Sequence, residues 1–219
     1  MSGYELSALL LLAFGAEGEV TPKPVNPTSQ ASSSDGQNKS WDFNLSISGY
    51  FFPNKSAYLQ PTLSVDHEWL HLEGRYNNEA LQTGSLWVGW NFHWGETLTF
   101  SLTPMVGWVF GQVNGAALGL EWSLAWGPVA FNSENEFVLT FADVQQSFFS
   151  TWSQLSINPF DWLSVGLALQ RNRSHAVHRE VYLAPFIGFS FWKIEVAGFW
   201  FDPGQVQVQY WVVSVSVSL

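Results

Sequence analysis

Apolar and polar residues alternate along most of the chain after Trp41, and residues 85–110 show the pattern most clearly. In SLWVGWNFHWGETLTFSLTPMVGWVF almost every even-numbered position is apolar, whereas the odd positions are mostly Ser, Gly, Asn, His and Thr. Successive side chains of a strand point to opposite faces, so this period of two predicts strands with one apolar and one polar face. The intervening Gly-Glu-Thr at 95–97 predicts a three-residue hairpin turn, which keeps both strands in phase.

The same alternation predicts about twelve strands, and ten or fourteen remain open alternatives. Neither helical periodicity nor an internal repeat is visible after Trp41. Several predicted strands have roughly 10–13 residues, which is long for a soluble sandwich and right for a tilted membrane strand. The predicted strands are 41–52, 57–66, 69–77, 84–94, 98–110, 115–125, 129–140, 147–157, 161–171, 180–190, 192–201 and 205–218.

Composition indicates which solvent the apolar faces meet. Charged residues make up 12% of the chain and aromatic residues 17%, so the polar faces carry Ser, Thr, Gly, Asn and Gln instead of Lys and Glu. Such faces suit a wet interior better than the exterior of a soluble protein. Backbone groups in a bilayer must all be paired, which requires a closed sheet. We therefore predict an all-β fold, a closed antiparallel up-and-down transmembrane β-barrel spanning 41–219.

Tryptophan positions support this prediction. One Trp begins the first strand and five others lie at tight turns of the same barrel end, as in an interfacial aromatic girdle. The predicted girdle consists of Trp41, Trp69, Trp94, Trp126, Trp162 and Trp192. The opposite end carries Phe51, Tyr76, Phe110, Phe141 and Phe148. The alternative is a soluble, Trp-rich lectin with its tryptophans inside.

The C-terminal sequence QYWVVSVSVSL alternates apolar residues with Ser from Trp211 to Leu219. It resembles the terminal strand of bacterial outer-membrane β-barrel proteins, which most often ends in Phe. The resemblance implies an outer-membrane location with both termini periplasmic, contact with outer-membrane lipid and lipopolysaccharide, and recognition of Trp211 and Leu219 by the barrel-assembly machinery. Because Val206, Val208 and Tyr210 are apolar on even positions, we also predict a β-bulge near Val212.

The N-terminal segment differs from the barrel in composition. Residues 1–15 are expected to form a signal peptide, although the usual positive charges are missing, and Ala13-Phe14-Gly15 supplies small residues for cleavage. The alternative is a short buried or frayed helix. Residues 16–40 are rich in Pro, Ser, Asn and Gln, which predicts a disordered periplasmic linker that a protein partner could bind. The apolar run Leu6–Phe14 is about half the length of a membrane helix.

Net charge and the absence of Cys exclude several functions. The net charge of −10 argues against a nucleic-acid partner. Zero Cys excludes disulfides, a thiolate nucleophile and a Cys-ligated metal. The sequence predicts no cofactor.

The alternation also assigns charged residues to the barrel interior. Predicted inward acids are Asp42, Asp66, Glu73, Glu121, Glu134, Glu136, Glu180 and Glu195, and predicted inward bases are Arg75 and Lys193. An acidic lumen favours cations. We therefore predict a narrow, cation-preferring passive pore for ions or small solutes, with Glu73, Arg75, Glu121, Glu134, Glu136, Lys193 and Glu195 along the ion pathway. Twelve-stranded porins for acidic sugars need a basic track, which this lumen lacks. The alternative is a plugged structural or partner-binding barrel.

Two further features of the sequence bear on chemistry: the histidines and an arginine-rich loop. An outer-membrane lipid-modifying enzyme needs His beside Ser or a carboxylate, and no convincing catalytic set is present. His71 and His93, expected as diagonal neighbours at about 7–8 Å, are weak metal-ligand candidates with Glu73 nearby. The loop RNRSHAVHR at 171–179 carries Arg171, Arg173 and Arg179, which could contact lipopolysaccharide phosphates. The alternative is a solvated loop paired with Glu180.

Overall fold

The computed structural model describes residues 40–174, 180–204 and 208–219. The predicted signal peptide at 1–15 and the predicted linker at 16–40 lie outside these residues, except for Ser40. The strands are β1 (Asp42–Phe51), β2 (Tyr58–His67), β3 (Leu70–Tyr76), β4 (Thr83–Trp90), β5 (Phe92–Trp94), β6 (Leu98–Gly111), β7 (Gly115–Trp126), β8 (Val129–Thr140), β9 (Phe148–Phe160), β10 (Leu163–Ser174), β11 (Glu180–Phe191), β12 (Ile194–Phe201) and β13 (Tyr210–Ser218). Within the described ranges, no helix is long and apolar enough to cross a bilayer.

Consecutive strands pair antiparallel, except that β4 pairs with β6 and not with β5, and β1 pairs with β13 to close the sheet. The result is an all-β, closed antiparallel barrel of 12 strands, with β5 as one short extra strand. The predicted fold is confirmed. Closure is completed at the C-terminus, where the Leu219 backbone N–H donates to the Phe43 carbonyl at 2.9 Å. We call the end with the tight turns and both barrel termini the turn end, and the opposite end the loop end.

The predicted strand 84–94 is divided into β4 and β5 because of Pro104 on β6. Gly89 pairs with Met105 and Phe92 with Leu102, so the register is the same on both sides of the division. This register puts Trp90 opposite Pro104, which has no backbone N–H to donate to the ladder. On the other side, Asn91 donates its backbone N–H to the Trp69 carbonyl at 2.7 Å.

The barrel exterior is apolar over the whole height of the strands. Leu118 is 62% exposed and Leu86 61%, and outward Leu, Val, Ile, Phe and Trp side chains surround the barrel. Inward positions are mainly small or polar, as in the β13 series Ser214 and Ser216. Such an exterior, closed on itself, is what a lipid environment requires.

The six predicted girdle tryptophans all lie on the surface at the turn end, with exposed fractions between 48% and 88%. Several stack on aromatic neighbours: Trp69 on Trp90 at 6.2 Å between ring centroids, and Trp162 on Phe160 at 5.5 Å. At the loop end Phe51, Tyr76, Phe110 and Phe141 are exposed. Phe148 is not part of this outer ring, because it points inward and packs against the lumen cluster around Trp87.

The predicted bulge near Val212 is wrong. Register between β13 and β1 runs without a shift from Phe51↔Trp211 to Asn44↔Ser218. Even positions of β13 point inward throughout, and the inward residues Tyr210 and Val212 are apolar because they pack into an aromatic cluster. The register does shift between β9 and β10, next to Leu163.

Candidate functional site in the barrel lumen

The lumen contains an acidic cluster around Arg75 on β3. Its guanidinium Nη1 lies 2.6 Å from Glu134 Oε1 and 3.3 Å from Glu136 Oε2, and its Nη2 lies 3.5 Å from Glu121 Oε1. The Nε–H also donates to Glu73 Oε1. These contacts cross the lumen, because β3 and β8 are separated by β4, β6 and β7. One guanidinium therefore serves carboxylates from three strands.

Register explains how the sequence builds this cluster. His71, Glu73 and Arg75 alternate along β3, so all three point inward. Glu121 on β7 faces Glu134 on β8 directly. Like charges in such a pair repel each other, and the Arg75 guanidinium offsets this repulsion.

The face of the Trp87 ring packs against the Arg75 guanidinium. The guanidinium carbon lies 4.8 Å from the ring centroid, a cation–π distance. Gly107 makes room for the indole, since a Cβ at that position would lie 2.6 Å from ring atoms. Arg75 is thereby held from one side by the aromatic face and from the other by carboxylates.

His71 extends the cluster towards the turn end. Its Nδ1 is 2.8 Å from Asp66 Oδ1, and its Nε2 is 3.3 Å from Glu73 Oε2. Asn91 Nδ2 donates to the same Asp66 oxygen at 2.7 Å. The side chain of Asp66 is 38% exposed and that of His71 only 5%, so this part of the cluster is reached from the turn end.

Glu79 belongs to the cluster but was not predicted from the sequence. It lies in the β3–β4 loop at 77–82, which folds inward so that Asn78, Glu79 and Ala80 are buried. Ser85 Oγ donates to Glu79 Oε1 at 2.5 Å, and Trp87 Nε1 donates to Ser85 Oγ at 2.9 Å. Alternation assigns faces only to strand residues, so a loop that turns inward gives no such signal.

Two hydrogen bonds, one between backbone groups and one to the Asn77 side chain, hold the ends of this inward loop. The Asn77 N–H donates to the Thr83 carbonyl at 2.8 Å, and the Gln82 N–H donates to Asn77 Oδ1 at 2.7 Å. Asn77 and Gln82 have φ values of 61° and 58°, in the left-handed region. Burial raises the pKa of the Glu79 carboxyl, and the charge of Arg75 opposes that increase.

An aromatic cluster fills another part of the lumen, towards the loop end. Phe201 stacks on Tyr210 at 4.5 Å and Tyr50 on Tyr58 at 4.9 Å. Tyr210 OH donates to Gln170 Oε1 at 2.7 Å. Tyr50, Phe201 and Gln170 are all 0% exposed, so side chains occupy the bore here.

Two predicted lumen residues lie away from the cluster around Arg75. Lys193 is in the tight β11–β12 turn and is exposed, so its assignment to the ion pathway is wrong. The alternation was extended into this turn, where it does not apply. Glu195 is inward and half-buried, beside Ser190 and Ser216 in the sheet register. It is not one of the carboxylates that contact Arg75.

The predicted closeness of His71 and His93 is also wrong. Register places His71 opposite Gly89, four residues from His93, or roughly 13 Å at the usual rise of a strand. His93 is exposed near the turn end, with Nδ1 2.9 Å from Ser101 Oγ. The structure instead brings His71 together with Glu73 and Glu121.

The predicted arginine loop is partly strand. Arg171 and Arg173 lie on β10 near the loop end and face outward, opposite Thr151 and Phe149 of β9. Arg179 lies outside the described residues. At the C-terminus, Trp211 is 40% exposed on the outer face and Leu219 is 67% exposed. Their roles in lipopolysaccharide contact and in assembly remain predictions.

Solved porin structures are similar to this barrel. A structure of the KdgM porin superposes with a TM-score of 0.57 at 10% identity, over 80% of this chain and 99% of that chain. The KdgM porin in complex with disordered oligogalacturonate gives 0.55 at 9% identity, over 81% and 99%. No protein-family model and no curated protein sequence matches the chain. Identities this low show a shared fold alone.

The closed barrel, its apolar exterior and these similar structures define the class of protein. The chain folds as a closed β-barrel like those of outer-membrane porins, and this fold supports an outer-membrane location. Within this class, the cluster around Arg75 is the feature from which a function can be argued.

Proposed function

We propose that this protein is an outer-membrane porin-type channel that passes small cations through a narrow lumen, with both termini in the periplasm. The observation that carries the proposal is the charge around Arg75. Glu73, Glu121, Glu134 and Glu136 all contact this single guanidinium. Glu79 lies beside them in the loop, where burial favours its neutral form. Negative charge in a low-dielectric channel concentrates cations and repels anions.

The low exposure of the inward side chains limits the proposed pathway to small solutes. Inward side chains at mid-height, such as Ser64 at 1%, Ser85 at 1% and Ser214 at 1%, are almost inaccessible to water. A hydrated sugar would require large displacements of the two clusters. One similar porin structure contains oligogalacturonate, a polyanion, which the acidic cluster here would repel.

A second candidate is a plugged barrel that does not transport anything. The same low exposure of the inward side chains favours it, together with the inward loop at 77–82 and the mutually stacked aromatic cluster. In that case the surface loops and the N-terminal segment would make the functional contacts.

Single-channel recording of the full chain, refolded into a planar bilayer under a KCl gradient, separates these functions. The proposal predicts discrete steps with a cation-selective reversal potential. Glu121→Gln should move that potential towards zero, since it removes a partly accessible carboxylate from the pathway. Glu96→Gln is the matched control, because Glu96 lies exposed in the β5–β6 turn and should leave selectivity unchanged.

Two results would overturn the proposal. Anion selectivity of the wild-type channel would show that the acidic cluster does not control permeation. Inserted, heat-modifiable protein that gives no steps would support the plugged barrel instead.

A further inference from the structure

Three potential metal ligands lie together in the lumen. One ring nitrogen of His71 and one carboxylate oxygen each of Glu73 and Glu121 are within 4.8 Å of one another. Two ligands about 2.0–2.2 Å from a shared ion lie at most about 4.4 Å apart, so the three side chains would close slightly around an ion. The three residues come from β3 and β7, whose backbones are fixed by the barrel. All three residues belong to the part of the chain that the structure describes.

Neighbouring groups orient the ligands as the outer shell of a metal site does. Asp66 Oδ1 lies 2.8 Å from His71 Nδ1, which leaves Nε2 directed at Glu73. Asn91 holds the same Asp66 oxygen at 2.7 Å. A carboxylate on the distal nitrogen of a ligating histidine is the usual arrangement in metal sites, where it fixes the tautomer and the ring orientation.

Arg75 orients the carboxylate of Glu73 in a comparable way. It binds Oε1 of Glu73 through its Nε–H, while Oε2 faces His71 Nε2 at 3.3 Å. One oxygen is thus anchored and the other is turned towards the three-ligand set. Glu121 approaches Arg75 only at 3.5 Å and its side chain is 15% exposed, so it can rotate towards an ion.

One buried carboxyl oxygen of the cluster lacks a hydrogen-bond partner. Glu136 Oε2 lies 3.3 Å from Arg75 Nη1, the guanidinium that also binds Glu73 and Glu121. Its Oε1 is buried without a hydrogen-bond partner, on a side chain that is 3% exposed. Buried charges without partners are costly, and a divalent cation in the cluster would lower that cost.

We propose that His71, Glu73 and Glu121 bind one divalent transition-metal cation of the Zn²⁺ class inside the lumen. Mixed imidazole and carboxylate ligands suit Zn²⁺ and its first-row neighbours better than Ca²⁺ or Mg²⁺, which prefer oxygen ligands alone. The ion would enter from the turn end, past the 38% exposed Asp66 side chain. The proposal deepens the cation pathway proposed above, and the site would bind metal whether or not the lumen conducts.

The test is metal binding to the folded full chain in detergent micelles. Zn²⁺ binding is measured by isothermal titration calorimetry, and Co²⁺ binding by its visible ligand-field absorption, with CaCl₂ as the hard-cation comparison. We expect one Zn²⁺ per barrel, a Co²⁺ spectrum that Zn²⁺ abolishes, and no comparable binding of Ca²⁺. Chelation should reverse binding without unfolding the barrel.

Four variants separate a built site from general attraction to an acidic lumen. His71→Asn keeps a donor near Asp66 but removes the ligand nitrogen, and Glu121→Gln removes one carboxylate; each should weaken Zn²⁺ binding at least tenfold, the order of loss seen even for outer-shell changes. His93→Asn and Glu195→Gln, which lie outside the cluster, should bind as the wild type does. Circular dichroism confirms that each variant is folded.

The proposal is overturned if folded wild-type protein binds no stoichiometric Zn²⁺, or if all four variants bind it equally. These results are independent of conductance. A barrel that binds one Zn²⁺ but gives no channel steps would contradict the proposed function and support the metal site. A cation-selective channel without stoichiometric binding would do the opposite.

Discussion

Arg75 connects two sides of the barrel through its side chain alone. Its side chain is 2% exposed, and Glu73, Glu134 and Glu136 around it are 0–5% exposed. A buried ion pair often adds little to stability compared with apolar residues of the same shape, but removing one partner leaves buried charge without compensation. The acidic cluster should therefore be most sensitive to loss of its cation.

Arg75→Met tests this expectation. We predict a decrease of about 3–5 kcal/mol in the free energy of unfolding, because several buried carboxylates lose their shared partner. Reversible denaturant unfolding in lipid vesicles measures it. Arg173→Met is the matched control: Arg173 is exposed on the outer face of β10, and its replacement should change stability by less than about 0.5 kcal/mol. Equal effects of the two variants would contradict the importance of the Arg75 contacts.

Among the elements, the inward loop at 77–82 is the one most directly coupled to pH. Glu79 sits near Ser85, Trp87 and Arg75, and Glu136 is the nearby acid on β8. Burial raises the pKa of Glu79 above its usual 4.5, so the seated loop holds the proton more tightly than a released loop does. The stabilisation from protonation is therefore lost as the pH rises from 4.5 through the raised pKa.

Hydrogen exchange of residues 77–82 checks the direction in which the stability of the loop changes with pH. After correction for intrinsic exchange rates, protection of the wild-type loop should fall as the pH rises above about 4.5 and through the raised pKa of Glu79, as linkage requires. Glu79→Gln keeps a hydrogen-bonding side chain of the same size and should weaken this pH dependence. Protection that rises with pH in the wild type would contradict the burial of a neutral Glu79.

The alternation of apolar and polar residues predicts the strands well wherever outward residues are apolar and inward residues are polar. The twelve predicted strands correspond to the observed ones within a few residues at most ends, because outward residues must be apolar along every strand. The rule was misleading on β13, where Tyr210 and Val212 are apolar and yet point inward. It was also misleading at Lys193, which is in a turn.

The candidate site was only partly predictable. Alternation placed Glu73, Arg75, Glu121, Glu134 and Glu136 on the inner face, and the structure brings them together. Which of them touch depends on the diameter of the barrel and on the stagger of its strands, as for Arg75 and Glu136, which are 61 positions apart. Neither quantity can be read from one strand. Glu79 was missed because its loop folds inward.

The whole molecule has an apolar outer surface and a polar, acidic interior. The exposed tryptophans at the turn end and the exposed aromatic residues at the loop end border the apolar band, as membrane interfaces require. Closure between β1 and β13 leaves every described strand except the short β5 paired on both sides. The proposed channel therefore requires lipid outside the barrel and water with cations inside it, and this is its central claim.

The most direct test of that claim uses the absence of cysteine from the chain. Ser123 and Leu124 are neighbours on β7, and Ser123 points into the lumen while Leu124 points outward. Single variants Ser123→Cys and Leu124→Cys in lipid vesicles are treated with water-soluble methanethiosulfonates carrying a trimethylammonium or a sulfonate group. We predict that the lumen thiol reacts, and faster with the cationic reagent, while the outer thiol is protected by lipid. Faster reaction at position 124, or preference of the lumen thiol for the anionic reagent, would contradict the claim.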